Sequence, residues 1–173
     1  MLVCETPRLR VRYLDPHVDA EFILQLLNEP SFLENIGDRG VRTLEDARKY
    51  VTDGPLASYA RHGFGLFRVE LKVSGVPIGM CGLLKRDWLD DVDIGFAFLP
   101  QFWSKGYAVE SAQGVVDWGR TARGVTRVVG ITAPHNQGSM RVLEKLGLAA
   151  DGTVRSPEGH ESRLFTPAGQ SSA

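Results

Sequence analysis

Val92-Asp93-Ile94-Gly95-Phe96-Ala97-Phe98-Leu99-Pro100-Gln101-Phe102-Trp103-Ser104-Lys105-Gly106-Tyr107-Ala108 is the stretch from which the rest of the chain can be placed. Val92 to Leu99 is rich in apolar and aromatic residues and reads as a strand, while the residues from Tyr107 onward fall into helical spacing. The segment 101–108 is therefore a loop entering a helix. Such a junction leaves the first backbone N–H groups without partners and points the positive end of the helix dipole outward, which makes an anion site suited to a diphosphate. Gly106 lets an anion approach the backbone closely, and Ser104 either caps the helix or adds a hydroxyl donor. On these residues alone an ordinary strand-to-helix turn with a Ser cap is the favoured reading. Neither GxxxxGK[ST] nor a GxGxxG after the first strand is present, which disfavours kinase-like nucleotide handling.

Working outward, Phe64 to Lys72 alternates, with Phe67, Val69 and Leu71 on one face and Arg68, Glu70 and Lys72 on the other. Ser74-Gly75 turns the chain into Pro77 to Leu84, and Lys85 to Asp91 turns it again into the Val92 strand, giving an antiparallel meander. Upstream, Leu9 to Tyr13 reads as a first strand. Asp15 is placed to cap a helix with Pro16 at its first position, Phe22, Ile23, Leu26 and Leu27 on its apolar face, and Pro30 as its stop. Thr43 and Asp46 make a capping-box start for a second helix with Leu44, Ala47 and Val51 inward and Gly54-Pro55 at its end; a further short helix fits before Gly63. Ser31 to Arg42 reads as an irregular pocket-lining loop or a plain connector.

Downstream, a helix runs from Tyr107 to about Thr121 with Ala108, Ala112, Val115, Val116 and Gly119 buried and Gly124 as its C-cap. A strand over Arg127 to Thr132, a helix from Gln137 to Leu146 and a hairpin turning at Ser156-Pro157-Glu158-Gly159 complete the order. The fold class is α/β, a mixed and mostly antiparallel central sheet flanked by helices on both faces. One domain is expected over 1–166, with 167–173 as a disordered tail.

The 173 residues, 43% hydrophobic and 24% charged, suffice for one core, and a chain of this size buries roughly 70% of its unfolded surface without a metal or disulfide. A net charge of −1 removes the footprint of a general nucleic-acid binder. Without an 18-residue apolar run or a secretory signal, a cytoplasmic protein is expected, with no membrane partner. Cys4 and Cys81 are expected to be reduced and buried, and the four histidines lack ligand spacing, so no metal is expected.

Val92 to Pro100, the 101–108 loop, and His135-Asn136-Gln137-Gly138-Ser139-Met140-Arg141-Val142-Leu143-Glu144-Lys145-Leu146-Gly147 together resemble the GNAT acetyltransferases, in particular the RimJ/RimL-type N-acetyltransferases. The likeness covers about residues 5–166, beginning at Glu5-Thr6-Pro7-Arg8-Leu9-Arg10. It implies acetyl-CoA as cosubstrate. The family's Q/R-x-x-G-x-G/A loop corresponds to Gln101, Phe102, Trp103, Ser104, Lys105 and Gly106, with Ser104 replacing the first glycine, and Tyr107 and Ala108 open the helix behind it. The resemblance also implies that the Phe96, Ala97 and Phe98 backbone pairs with pantetheine in a splay beside Val128 to Ile131. Asn136 and Ser139 match an N-x-x-S element near the thiol.

An ammonium with a pKa near 10.4 must lose a proton before attacking a thioester, whereas an N-terminal amine near 8 needs less help. Asp93 is the candidate base by position in the family pattern; a solvated strand entrance shared with Asp90 and Asp91 is the competing reading. Ser139 is a candidate donor to the departing thiolate, and a strand N–H between Phe96 and Leu99 the oxyanion donor. Glu110 reads as structural, Lys105, Arg141 and Lys145 as candidates for the phosphates, and Asn35, Asp38 and Arg39 as facing the acceptor. The implied function is acetyl transfer to a primary amine, a protein N-terminus or a small molecule, by direct attack in a ternary complex. Against it stands a non-catalytic acyl-CoA-binding or regulatory module, and, more weakly, a triphosphate-binding protein. A monomer or a homodimer is expected.

Overall fold

The computed structural model describes residues 1–169. Eight strands form one sheet: β1 (Leu2–Glu5), β2 (Leu9–Arg12), β3 (Leu66–Leu71), β4 (Pro77–Leu84), β5 (Val92–Phe98), β6 (Val128–Thr132), β7 (Leu148–Arg155) and β8 (Glu161–Pro167), in the spatial order β1-β2-β3-β4-β5-β6-β8-β7. All neighbours are antiparallel except β5 and β6. These two are joined by α5 (Tyr107–Arg123), because a parallel pair needs a crossover long enough to return the chain. α1 (Ala20–Leu27), α2 (Pro30–Asn35), α3 (Leu44–Val51) and α4 (Ala57–His62) precede β3, and α6 (Gln137–Lys145) precedes β7.

Two apolar clusters cover the two faces. On one, Ala112, Val115 and Val116 of α5 and Met140 and Leu143 of α6 pack against Phe67, Cys81, Ile94 and Phe98. On the other, Phe22, Ile23, Leu26 and Leu27 of α1 meet Ala47 and Val51 of α3, with Phe32, Met80 and Leu99. Phe67 is fully buried, and its ring lies 5.2 Å from Tyr13, 5.2 Å from Tyr59 and 5.4 Å from Trp118. Such ring pairs each contribute roughly 0.5–1.5 kcal/mol beyond area burial.

Several expectations are corrected. The edge strand β1 and the helix α2 are additional: Pro30 opens α2 at its first turn, where a missing N–H costs nothing, instead of only ending α1. Asp15 caps a turn, accepting from the His17 and Val18 N–H groups, and α1 begins later. Leu44 is exposed; α3 does start at the Thr43–Asp46 capping box, but the chain continues past Gly54-Pro55 through a π-helical turn, Thr52–Leu56, into α4. The polar face of β3 is covered by α1: Arg68 and Glu70 are buried and paired with each other at 2.8 Å, and Arg68 also grips Asp19. Cys4 is half-buried while Cys81 is fully buried, and burial pushes their thiols up to about 11 and about 12. Pro167 closes β8 opposite Leu148, and the Ala168 N–H donates to Gly147 C=O, so the expected tail does not begin at 167; its remainder, 170–173, lies outside the described residues. No helix of the described residues is long and apolar enough to cross a membrane.

Candidate active site

β5 and β6 pair only at Val92 with Val128 and Asp93 with Val129, then diverge. Beyond that point β6 bonds only to β8, and β5 is left with one unpaired edge. Which groups face the opening follows from strand alternation. The Leu99 N–H is given to Ile78 C=O across β4, so Leu99 and Ala97 direct their backbone groups toward β4, and Phe96 and Phe98 direct theirs into the wedge. Leu99 is thereby removed as an oxyanion donor, which leaves the N–H groups of Phe96 and Phe98. The Phe98 C=O accepts the Trp103 indole N–H at 2.9 Å.

The wedge opens into a cleft of about 610 Å³ lined by β5, the loop after it, the first turn of α5, one face of α6 and part of α2. Glu110 N–H bonds to Gly106 C=O, and the Tyr107, Ala108 and Val109 N–H groups, having no carbonyl a turn earlier in the helix, point out of the helix start at this cleft. Gly106 is the N-cap at φ 82°, a left-handed conformation that glycine adopts without a Cβ penalty. Ser104, at φ 60°, is the one non-glycine among the described residues in that region. It does not cap the helix; it stands in a glycine's conformation, at a cost of about 1–2 kcal/mol. We expect Ser104→Gly, which removes that strain at the expense of some unfolded-state entropy, to gain about 0.5–1 kcal/mol, raising Tm by ~2 °C with acetyl-CoA affinity unchanged. A calorimetric Tm that falls would show the serine side chain to be a stabilising contact.

The loop is held from outside the cleft. Glu110 accepts from Thr6 Oγ1 at 2.6 Å, from Arg8 N at 2.9 Å and from Arg8 Nε at 2.7 Å, and Arg8 Nη1 donates to Lys105 C=O at 2.9 Å. Burial raises the Glu110 carboxyl pKa, but these hydrogen bonds outweigh it and hold the group below the ordinary range, so it stays ionised. Its structural role follows. The Arg8 guanidinium also sits over the Tyr107 ring, 4.5 Å from its centre.

Of the expected cofactor residues, Phe96, Ala97, Phe98, Phe102, Trp103, Ser104, Gly106, Tyr107, Ala108, Asn136 and Ser139 line the cleft. Gln101 and Lys105 do not; both side chains are exposed. Asn136 is also the N-cap of α6, its Oδ1 accepting the Ser139 N–H at 3.2 Å. Arg141 and Lys145 lie on the cleft face of α6. On the acceptor side Asn35 lines the cleft, whereas Asp38 and Arg39 fall outside it, with Asp38 bound to Arg42 at 2.6 Å and to the Gly40 N–H. Ser31, Phe32 and Ile36, from the 31–42 segment read as pocket-lining or a plain connector, also line the cleft, and Val109, Gly138 and Val142 are lining residues that the sequence reading missed.

Asp93 is neither a cleft-lining residue nor part of a solvated strand entrance. It is 1% exposed, on the β5 face shared with Gly95 and Ala97, and its Oδ1 accepts from Arg86 Nε at 3.1 Å. Burial pushes its carboxyl above the ordinary range and Arg86 pulls it partly back. Trp118 and Trp88 are packing residues, the first against Phe67 and the second beside Leu89, Val129 and Leu164.

These parts fit acetyl-CoA: main-chain donors and a glycine for the diphosphate, two cations nearby, and an unpaired strand edge for the amide-bearing arm. A sheet split beside a helix start that carries an open anion site defines an acyl-CoA-handling transferase. Comparison with known proteins agrees. The Acetyltransferase (GNAT) domain model matches residues 8–149, and the chain belongs to the GNAT acetyltransferase family. It is an acetyl-CoA-dependent acyltransferase. YkkB of Bacillus subtilis, an uncharacterized protein, is 27% identical over 152 residues, 87% of each chain, and the uncharacterized N-acetyltransferase YjdG of the same organism is 30% identical over 151 residues, 85% of this chain and 89% of its own. Among solved structures, RimL, the ribosomal L7/L12 alpha-N-protein acetyltransferase in complex with coenzyme A, superposes with a TM-score of 0.81 at 16% identity, over 96% of this chain and 97% of its own. The aminoglycoside acetyltransferase AAC(6')-Ib with coenzyme A gives 0.72 at 21%, over 91% and 93%. At these identities both show a shared fold.

Proposed function

We propose that this chain is a RimJ/RimL-type N-acetyltransferase, a single domain working in the cytoplasm, that moves the acetyl group of acetyl-CoA to a primary amine by direct attack in a ternary complex. One observation carries the reading: a single cleft runs from the α5 helix start, past the β5 edge that diverges from β6, to the side chains of α2. In this reading donor and acceptor meet in that cleft and the amine attacks the thioester directly. Acetyl-CoA supplies the activated thioester; the chain supplies positioning and charge stabilisation. The Tyr107, Ala108 and Val109 N–H groups hold the diphosphate, with Arg141 and Lys145 beside it, and the Phe96 and Phe98 backbone orients the arm. A Phe96 or Phe98 N–H receives the developing oxyanion, and the Ser139 hydroxyl, on the cleft wall, donates a hydrogen bond to the departing sulfur. Asn136 holds the first turn of α6 that carries Ser139.

Since no Asp or Glu lines the cleft among the described residues, the amine's proton leaves through water. Asp93 is proposed as the acceptor at the end of that relay; its raised pKa makes it a stronger base than an exposed carboxylate. Asp93→Asn keeps an oxygen for Arg86 and is expected to lower kcat about tenfold with acetyl-CoA affinity unchanged. The loss falls in a defined window. Below the raised Asp93 pKa the native base is itself protonated, and above the amine's pKa, about 8 to 10.4, the acceptor arrives neutral, so the two profiles converge at both ends. Equal kcat across the profile removes Asp93 from the mechanism.

The whole reading is tested by release of coenzyme A across an amine and peptide panel, with thermal shifts for acetyl-CoA, coenzyme A and ATP. A ligand present at 100 times its Kd adds about 2.7 kcal/mol to folding stability. Binding without turnover on any amine would turn the reading into that of an acyl-CoA-binding module, and stabilisation by ATP alone would overturn it.

A further inference from the structure

The two ends of the cleft differ in chemistry. At the α5–α6 end are a helix start, Arg141 and Lys145; at the α2 end are Ser31, Phe32, Asn35 and Ile36, and among the described lining residues there is no carboxylate. The nearby acids are engaged or turned away, Asp93 included, since it reaches the cleft only through the water relay. Asp38 is held by Arg42 at 2.6 Å, Asp93 is paired with Arg86 behind the cleft wall, and Glu34 lies on α2 between the cleft-facing residues without lining the cleft. The apolar groups at this end are anchored: Phe32 and Phe102 belong to the cluster under α1 and α3, whereas Ile36, one turn of helix beyond Phe32, is 43% exposed. An exposed isoleucine above a buried phenylalanine, on a cleft wall, is a seat for an apolar group.

A molecule with several ammonium groups would lose hydration on entering the α2 end and find no carboxylate there to replace it. An amine on an apolar body loses less, because it brings a single charge and the rest of it gains from the apolar wall. Resting on acetyl transfer as the proposed function, we infer that the acceptor is a primary amine carried on an apolar, otherwise uncharged group, and that Ile36 with Phe32 seats that group.

The test is equilibrium binding to the full chain saturated with coenzyme A, by calorimetry, using phenethylamine, a tripeptide amide with apolar first residues, spermidine and kanamycin. At least one of the first two is expected to bind tenfold or more tightly than either polycation; which one does so tells whether the apolar amine is free or the end of a peptide. Ile36→Asp, a change at a half-exposed position, is expected to weaken the apolar amine and tighten spermidine, each at least threefold. Polycations binding as tightly as the apolar amines, no binding by any of the four, or no response to Ile36→Asp overturns the inference. Turnover is measured on the same samples. Apolar preference in binding without acetyl transfer sinks the catalytic reading and keeps this one, while transfer favouring spermidine does the opposite.

Discussion

Gly106→Val is expected to weaken acetyl-CoA binding by at least tenfold, with stability reduced by about 1–2 kcal/mol. Gly106 sits at φ 82°, where a β-branched residue is a severe outlier, and a Cβ built there lies 3.3 Å from Arg8 Nη2. Two losses coincide. The side chain pushes on the Arg8 guanidinium that clamps the loop through Lys105 C=O and Glu110, and the strained backbone turns the Tyr107 and Ala108 N–H groups off their common direction. Gly106→Ala, with the same φ demand and less bulk, should fall between the two. Direct titration with acetyl-CoA and with coenzyme A reads the effect, and an unaltered Kd would refute the assignment of this loop to the diphosphate.

The second large effect is on the fold. Gly82 on β4 lies opposite Leu66, and an added Cβ would stand 1.9 Å from the Gly65 carbonyl oxygen and 2.7 Å from Leu66 Cα. Both obstacles are backbone, so no rotamer change relieves them; β3 and β4 would have to separate at the centre of the sheet. Gly82→Ala is therefore expected to cost about 3 kcal/mol or more, beyond the usual overpacking range, lowering Tm by roughly 6–12 °C. An unchanged melting curve would mean that the Gly65–Leu66 segment yields freely. The contrast with Gly124 is instructive: nothing lies within 4 Å of a Cβ there, and only its φ of 67° resists replacement.

The strand, loop and helix around Val92 to Ala108 are legible because period two gives way to period 3.6 across a proline, whereas choosing an anion site over a plain turn there needed the resemblance of the flanking motifs. The capping box of Thr43 and Asp46 was equally readable. What escaped was written in distant partners. β1 is four residues long and is a strand only because β2 pairs with it. α2 carries Phe32 and Ile36 four apart behind a proline at its first turn, a signal present in the residues but overshadowed by reading Pro30 as a stop. Arg68 and Glu70 have the charges of a solvent face, and α1 covers them because Asp19 supplies a partner. Asp93 shows the same limit at the site: sequence places it on the right strand, but its cover, Arg86, comes from the preceding turn.

On the proposed function, β5 meets the cofactor through the peptide groups of Phe96 and Phe98, which strand alternation turns away from β4. Any residue compatible with an extended conformation keeps the edge intact, so donor recognition is insulated from drift along these positions. The opposite wall is built from the side chains of a six-residue helix, and on the same proposal each replacement there alters what the amine meets. Acceptor preference can thus diversify on this scaffold while the thioester is held in an unchanging way.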